Sequence, residues 1–184
     1  MRQMLDAVGA FVYNGHSSAQ ARGNGPARRK STGRGLPLPG ADTEDTNVKK
    51  FSIGVLGAGT WGMALARMLM VSGNDVTVWS ALEQEIDNLS TTRVHPNLPG
   101  MTIPAEMKFT KSVEEVCTDK EILLFAVPSV FVRSTAAKAR PFVPDGQIIV
   151  DVAKGIEKDT LFTMTEILAD ELGKEGGPKG VRLV

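Results

Sequence analysis

The segment best suited to chemistry is Gly57-Ala58-Gly59-Thr60-Trp61-Gly62, a GxGxxG pattern set directly between a strand-like run and a helical period. Bare glycine patterns say little, because turns of every kind recruit glycine; here the position supplies a mechanism. After a strand, Gly57 permits the tight turn, Gly59 lets the backbone approach a pyrophosphate with no Cβ in the way, and Gly62 allows the next helix to pack closely on the sheet. The unpaired N–H groups and positive end of that helix, at Thr60 to Gly62, then face phosphate charge. The competing reading is a strand-to-helix turn that binds nothing, and the strand–helix–strand setting weighs against it.

Two other segments close apolar strands where ligands of open α/β sheets bind. Phe125-Ala126-Val127-Pro128-Ser129 ends one and Asp151-Val152-Ala153-Lys154-Gly155 ends another. A lysine followed by glycine at such an end can aim an ammonium into a crevice, where it binds phosphate or holds and protonates a developing alkoxide. On position alone a solvated loop lysine is an equal reading of Lys154. Phe131, at the start of a helix, reads as core, Asp151 as structural, and Arg93 and Arg133 as surface charges. Cys117 has no histidine near it in sequence and reads as a buried, inert thiol.

Discrimination between the two nicotinamide dinucleotides is expected at the tip of the second strand. An acidic residue ~20 positions after the glycines holds a ribose 2′-hydroxyl, and a basic one accepts a 2′-phosphate. The tip is Trp79-Ser80-Ala81, with neither charge; Glu83 reads as one helical turn too far, and Ser80 can hydrogen-bond either form. On this reading NAD and NADP are both admitted.

The elements that must position these groups alternate. Residues 52–56 form a short β-rich run, and Trp61, Ala64, Leu65, Met68 and Leu69 fall at i, i+3, i+4, i+7 and i+8, one helix face. A second strand is expected at 75–79, a polar helix at 83–90, a loop rich in Pro and Asn at 95–104 and a short strand at 108–110. Ser112 with Glu115 has the form of a capping box. Residues 122–127 are a continuous apolar run suited to a strand buried on both faces, ended by Pro128. A helix at 130–140, a strand at 148–152 and a helix striped by Leu161, Met164, Leu168 and Leu172 complete the series. Such alternation implies an α/β fold around a mostly parallel sheet.

Composition excludes several classes. In 184 residues, 42% are apolar and 23% charged, and 21 basic residues balance 21 acidic ones. No global attraction to nucleic acid follows from that balance. The longest apolar run is far below the ~20 residues that span a bilayer. One cysteine and two histidines, His16 and His95, make neither an internal disulfide nor a four-ligand zinc cage. The balance also hides an asymmetry: residues 1–50 hold 8 basic and 4 acidic residues and 7 of the 19 glycines. We read 1–50 as a disordered extension with no apolar period, for which an inert tail, a signal peptide around 7–13 and an organellar transit peptide are the alternatives. The folded domain is expected at 51–184.

Four motifs in order carry a family resemblance: Ile53-Gly54-Val55-Leu56-Gly57-Ala58-Gly59-Thr60-Trp61-Gly62 with Ala64-Leu65-Ala66, then Asn97-Leu98-Pro99-Gly100, Ala126-Val127-Pro128-Ser129, and Ala153-Lys154-Gly155-Ile156-Glu157. Together they resemble the bacterial-type NAD(P)-dependent glycerol-3-phosphate dehydrogenases. The resemblance implies a Rossmann-like, doubly wound sheet and reversible reduction of dihydroxyacetone phosphate to sn-glycerol 3-phosphate for phospholipid backbones. It implies a cytoplasmic enzyme with NAD or NADP as cofactor, a small phosphorylated substrate, a homodimer in the full-length form, and neither nucleic acid nor a membrane span. It places Gly57, Gly59, Thr60, Trp61 and Gly62 against the cofactor, Phe131 near it, and Lys154 in contact with both cofactor and substrate. In that family a helical domain follows with a second active-site lysine and most phosphate contacts. The chain is therefore expected to be the cofactor half, its C-terminal helical domain missing, with exposed apolar surface where that domain would sit. A non-catalytic dinucleotide-binding module, and a Rossmann domain of the 6-phosphogluconate or ketopantoate dehydrogenase type, are the alternatives.

Overall fold

The apolar runs line up side by side in a computed structural model of the chain, which describes residues 49–184. Strands β1 (Ser52–Leu56), β2 (Asp75–Trp79), β3 (Lys108–Thr110), β4 (Ile122–Phe125), β5 (Ile148–Asp151) and β6 (Arg182–Leu183) form one sheet. Their order is β3-β2-β1-β4-β5-β6, and every neighbouring pair is parallel. Helices α1 (Thr60–Val71), α2 (Glu83–Thr92), α3 (Val113–Cys117), α4 (Val132–Ala139) and α5 (Met164–Leu172) lie between the strands, with short 3-10 turns at Ser129–Phe131 and Arg140–Phe142 flanking α4. This is the expected doubly wound, Rossmann-like α/β fold. The expected extension lies outside the described residues, except that Lys49 already engages the domain through a 2.7 Å ion pair with Glu121.

Strands buried on both faces explain the sequence runs. All four residues of β4 are buried, and β1 is buried from Ile53 onward. β4 ends at Phe125, two residues short of Val127; Ala126 N–H still donates to the Leu56 carbonyl at 2.9 Å before the chain bends at Pro128. Gly54 has a packing role: a Cβ there would lie 2.0 Å from the Val116 carbonyl oxygen and 2.9 Å from Leu123 Cδ2. Its absence lets the last turn of α3 rest on β1. Cys117, in the same turn, is fully buried, and burial pushes its thiol up to about 12, so the inert reading holds.

Several local expectations change. The buried face of α1 is Gly62, Leu65, Ala66 and Leu69 with Met63, one residue along from the expected stripe, and Trp61 is turned outward. The cause is Gly62, which must face the turn before the helix. Leu161 leaves the stripe of α5 altogether: it adopts φ 59° and is 74% exposed, closing a turn on the Glu157 carbonyl. Ile167 fills the buried face beside Leu168 and Leu172. The capping box stands at Thr163 and Glu166, whose side chains and backbone N–H groups satisfy one another. At Ser112 only half a box forms, since the Glu115 carboxylate accepts from the Thr110 hydroxyl at 2.6 Å instead.

Neither arginine is a plain surface charge. Arg93 donates to the Pro104 and Met107 carbonyls and stacks over the Phe109 ring. Arg133, on α4, holds Glu157 with two parallel bonds of 2.7 Å from Nε and Nη2 and also meets Asp170 and Glu171 of α5. Planar bidentate pairing is the strongest geometry a guanidinium offers. The Arg133 bond, followed by the Thr160 hydroxyl, pulls the Glu157 carboxyl down to about 2.

Two outcomes follow. Gly54→Ala is expected to lower stability by about 1–3 kcal/mol through backbone displacement, read as a lower denaturant midpoint with unchanged slope. For Glu157, ionisation is favoured in the folded state, so its contribution is complete above the ordinary value of 4.5 and fades as pH falls toward about 2. The midpoint difference between the wild type and Glu157→Gln should thus be wide at about pH 7 and narrow by about pH 3; a gap that stays constant would remove the pair from the acid response.

Candidate functional site

The chain runs from β1 through β2 to β3 on one side of the sheet, then crosses to β4 on the other. The crevice of an open sheet lies at this reversal, outside the carboxyl ends of β1 and β4. Backbone bonds fix those ends: Ala126 N–H donates to the Leu56 carbonyl at 2.9 Å across β1 and β4, Gly57 N–H to the Trp79 carbonyl of β2 at 2.8 Å, and Val152 N–H, after β5, to the Phe125 carbonyl at 3.1 Å.

The glycine turn is built by contact. Gly57 has φ 122°, and a Cβ on it would sit 2.6 Å from the Ala126 carbonyl oxygen. On Gly62 a Cβ would lie 2.1 Å from the Gly57 carbonyl oxygen, so the first turn of α1 is pressed onto the turn that precedes it. Gly59 differs: its backbone is ordinary, φ −64° and ψ 177°, and a Cβ there would meet nothing within 4 Å. It is the N-cap of α1, no side chain caps the helix, and no acidic residue occupies its first turn. An anion placed over Gly59 would meet uncapped N–H groups and the positive helix end in open space. Thr60 and Trp61 flank this position, Trp61 at 43% exposure.

Across the reversal lie the other expected residues. Phe131 ends the 3-10 turn after β4 and is 56% exposed, so the core reading from position is overturned. Its turn starts from Pro128, whose carbonyl accepts the Phe131 N–H at 2.8 Å; that tight closure leaves the ring outside. Lys154 is exposed on the loop after β5. That loop is held at three points: Ala153 N–H donates to Asp151 Oδ1 at 3.1 Å, Gly155 presses on Ser129, and Glu157 is clasped by Arg133. Gly155 has φ 153° and a Cβ would fall 2.9 Å from the Ser129 Cβ. Burial raises the Asp151 carboxyl above its ordinary value, against the opposing pull of the Ala153 N–H. Val130, Phe131, Ile156 and Leu161 are exposed apolar side chains on these loops.

At the tip of β2, Ser80 is not free to serve a ligand as the sequence suggested. It is 7% exposed, donates its hydroxyl to Glu85 Oε2 at 2.6 Å and accepts the Leu82 N–H at 3.1 Å. Glu85 was missed by sequence reasoning. The signal that finds it is a hydroxyl at a strand end with glutamate five residues on, as Thr110 and Glu115 repeat after β3.

One family model matches the chain across its folded part. The family described as "NAD-dependent glycerol-3-phosphate dehydrogenase N-terminus" matches residues 52–181. A glycerol-3-phosphate dehydrogenase [NAD(P)+] of Lactobacillus delbrueckii subsp. bulgaricus is 70% identical over 132 residues, which are 72% of this chain and 39% of that protein. One from Agathobacter rectalis is 47% identical over 121 residues, 65% of this chain and 36% of its own length. The crystal structure of glycerol-3-phosphate dehydrogenase from Coxiella burnetii superposes with a TM-score of 0.65 at 27% identity, covering 73% of this chain and 39% of that one. The chain thus spans about two fifths of the curated relatives it matches. With a glycine turn at the sheet reversal and that family's model matching residues 52–181, the chain is a member of the NAD-dependent glycerol-3-phosphate dehydrogenase N-terminal family.

Proposed function

We propose that residues 51–184 form the dinucleotide-binding half of an NAD(P)-dependent glycerol-3-phosphate dehydrogenase, acting in the cytoplasm on dihydroxyacetone phosphate and sn-glycerol 3-phosphate in glycerophospholipid synthesis. One observation carries the reading: the uncapped N-terminus of α1, opened by Gly59 at the sheet reversal, is shaped for a diphosphate. Relatives named for this reaction support the substrate, and a free buried thiol fits a reducing compartment.

The residues divide the work. Gly57 and Gly62 fix the turn, while Gly59 and the backbone of Thr60 and Trp61 receive the diphosphate. Phe131 borders the cofactor with its exposed ring. When bound, the reduced nicotinamide supplies hydride to the C2 carbonyl of dihydroxyacetone phosphate. Lys154 contacts cofactor and substrate, its ammonium stabilising the negative charge that develops on the C2 oxygen and donating a proton to it. The bonds at Asp151 and Arg133, with the close packing of Gly155 on Ser129, keep that lysine's loop in place before a ligand arrives.

Titrating the 184-residue chain with NADH and following tryptophan quenching should give saturable binding. Gly59→Leu should weaken it about tenfold or more at a near-native denaturation midpoint, because the new side chain enters open space where the diphosphate lies. Unchanged affinity would place the diphosphate elsewhere. Amine acetylation mapped by peptide mass spectrometry should show Lys154 shielded by NADH with dihydroxyacetone phosphate while exposed Lys158 stays reactive; equal reactivity with and without ligands would take Lys154 out of the site.

A further inference from the structure

The sequence alone leaves the choice between NAD and NADP open, since Trp79-Ser80-Ala81 carries no charge. The fold adds one. Glu85, on the first turn of α2, reaches back to the end of β2, where its Oε2 lies 2.6 Å from the Ser80 hydroxyl. Ser80 is buried and also takes the Leu82 N–H, so the hydroxyl is locked in orientation and the carboxylate with it. Resting on the dinucleotide reading above, we infer that Glu85, anchored at the β2 tip by Ser80, makes this chain select NAD(H) over NADP(H). A carboxylate at that tip accepts hydrogen bonds from ribose hydroxyls and repels a 2′-phosphate.

The surrounding charges strengthen the selection. Glu83 and Asp87 stand on the same helix, and the Lys111 ammonium is shared between those two carboxylates at 3.6 and 2.8 Å. The largest effect on Lys111 is the Asp87 bond, which raises its pKa and keeps it charged and paired. The other cations of this flank are committed away from the tip. Lys108 pairs with Asp75 at the start of β2, at the opposite end of the strand. Arg93, beyond the C-terminus of α2, is spent on the Pro104 and Met107 carbonyls and the Phe109 ring. A dianionic 2′-phosphate at the tip therefore meets the Glu85 carboxylate, while the Lys111 ammonium is already taken by Glu83 and Asp87. The tip carries no arginine fork that would match a phosphate.

The test is a pair of titrations of the full chain, NADH against NADPH, at matched low ionic strength so that exposed charges are not screened. The expected result is NADH binding at least about tenfold tighter than NADPH. Glu85→Gln, whose amide oxygen still accepts from Ser80, should raise NADPH affinity and narrow the ratio several-fold. Ala81→Arg, which leaves the Ser80–Glu85 unit intact, should raise NADPH affinity by supplying the missing cation. Equal binding of the two dinucleotides by the wild type, or a ratio that neither substitution moves, overturns the preference while leaving the dinucleotide site standing. Absence of saturable binding for both overturns the dinucleotide reading itself and this preference with it.

Discussion

The approach of Gly62 to the Gly57 carbonyl is the constraint on which the other features depend. A Cβ at position 62 would stand 2.1 Å from that oxygen, so α1 reaches its place only because the residue has none. Seating the helix this closely orients it: Leu65, Ala66 and Leu69 are brought onto the sheet and Trp61 is turned out beside the crevice. It also brings the first N–H groups of α1 to the reversal between β1 and β4, where Gly57 is itself packed on the Ala126 carbonyl. Backbone against backbone leaves few ways for the turn to relax, and pre-set donors of this kind spend no reorganisation when an anion arrives.

The opposite wall is assembled differently. The loop carrying Lys154 is held by side chains, chiefly the Arg133–Glu157 pair and the contact of Gly155 with Ser129. Arg133 ties that loop to Asp170 and Glu171 of α5, and Arg140 and Lys174 add further bonds to Glu171, so α4, α5 and the loop share one charge network. Glu171 is buried within it, and a buried carboxylate persists only where cations surround it. One wall is thus rigid by steric fit, the other by electrostatics.

This difference governs what could be read in the sequence. The strands, the mostly parallel sheet and the glycine turn were legible because continuous apolar runs, strand–helix alternation and a glycine pattern are local signals. The α1 stripe was read one residue off, since hydrophobicity alone favours Trp61 over Gly62 as a buried position, and only the helix-to-turn contact reverses that preference. Leu161 failed for a related reason: an apolar residue at the right spacing was needed by the backbone to close a turn at φ 59°. Arg133 was illegible because its partners lie 24 to 38 residues away. Ser80 and Glu85 were close enough in sequence to be paired, but an acid was sought at the strand tip itself rather than on the helix that folds back over it.

Taken together, the two walls carry opposite charge along the carboxyl edge of the sheet. At the β2 end Glu85 is held on Ser80, and Glu83 and Asp87 on the same helix occupy Lys111. At the β5 end stands exposed Lys154, while Glu157 on its loop is paired with Arg133. Between them the α1 N-terminus adds partial positive charge. In the proposed reading a ligand is sorted by where its phosphates lie: a diphosphate is favoured at the middle, an additional phosphate is repelled at the β2 end, and a small phosphorylated molecule is drawn toward Lys154. A dinucleotide with an unmodified ribose, beside a separate small phosphate, is the arrangement of charge that fits this gradient from end to end, and a dinucleotide bound in the reverse sense would set its nicotinamide among the carboxylates, away from Lys154.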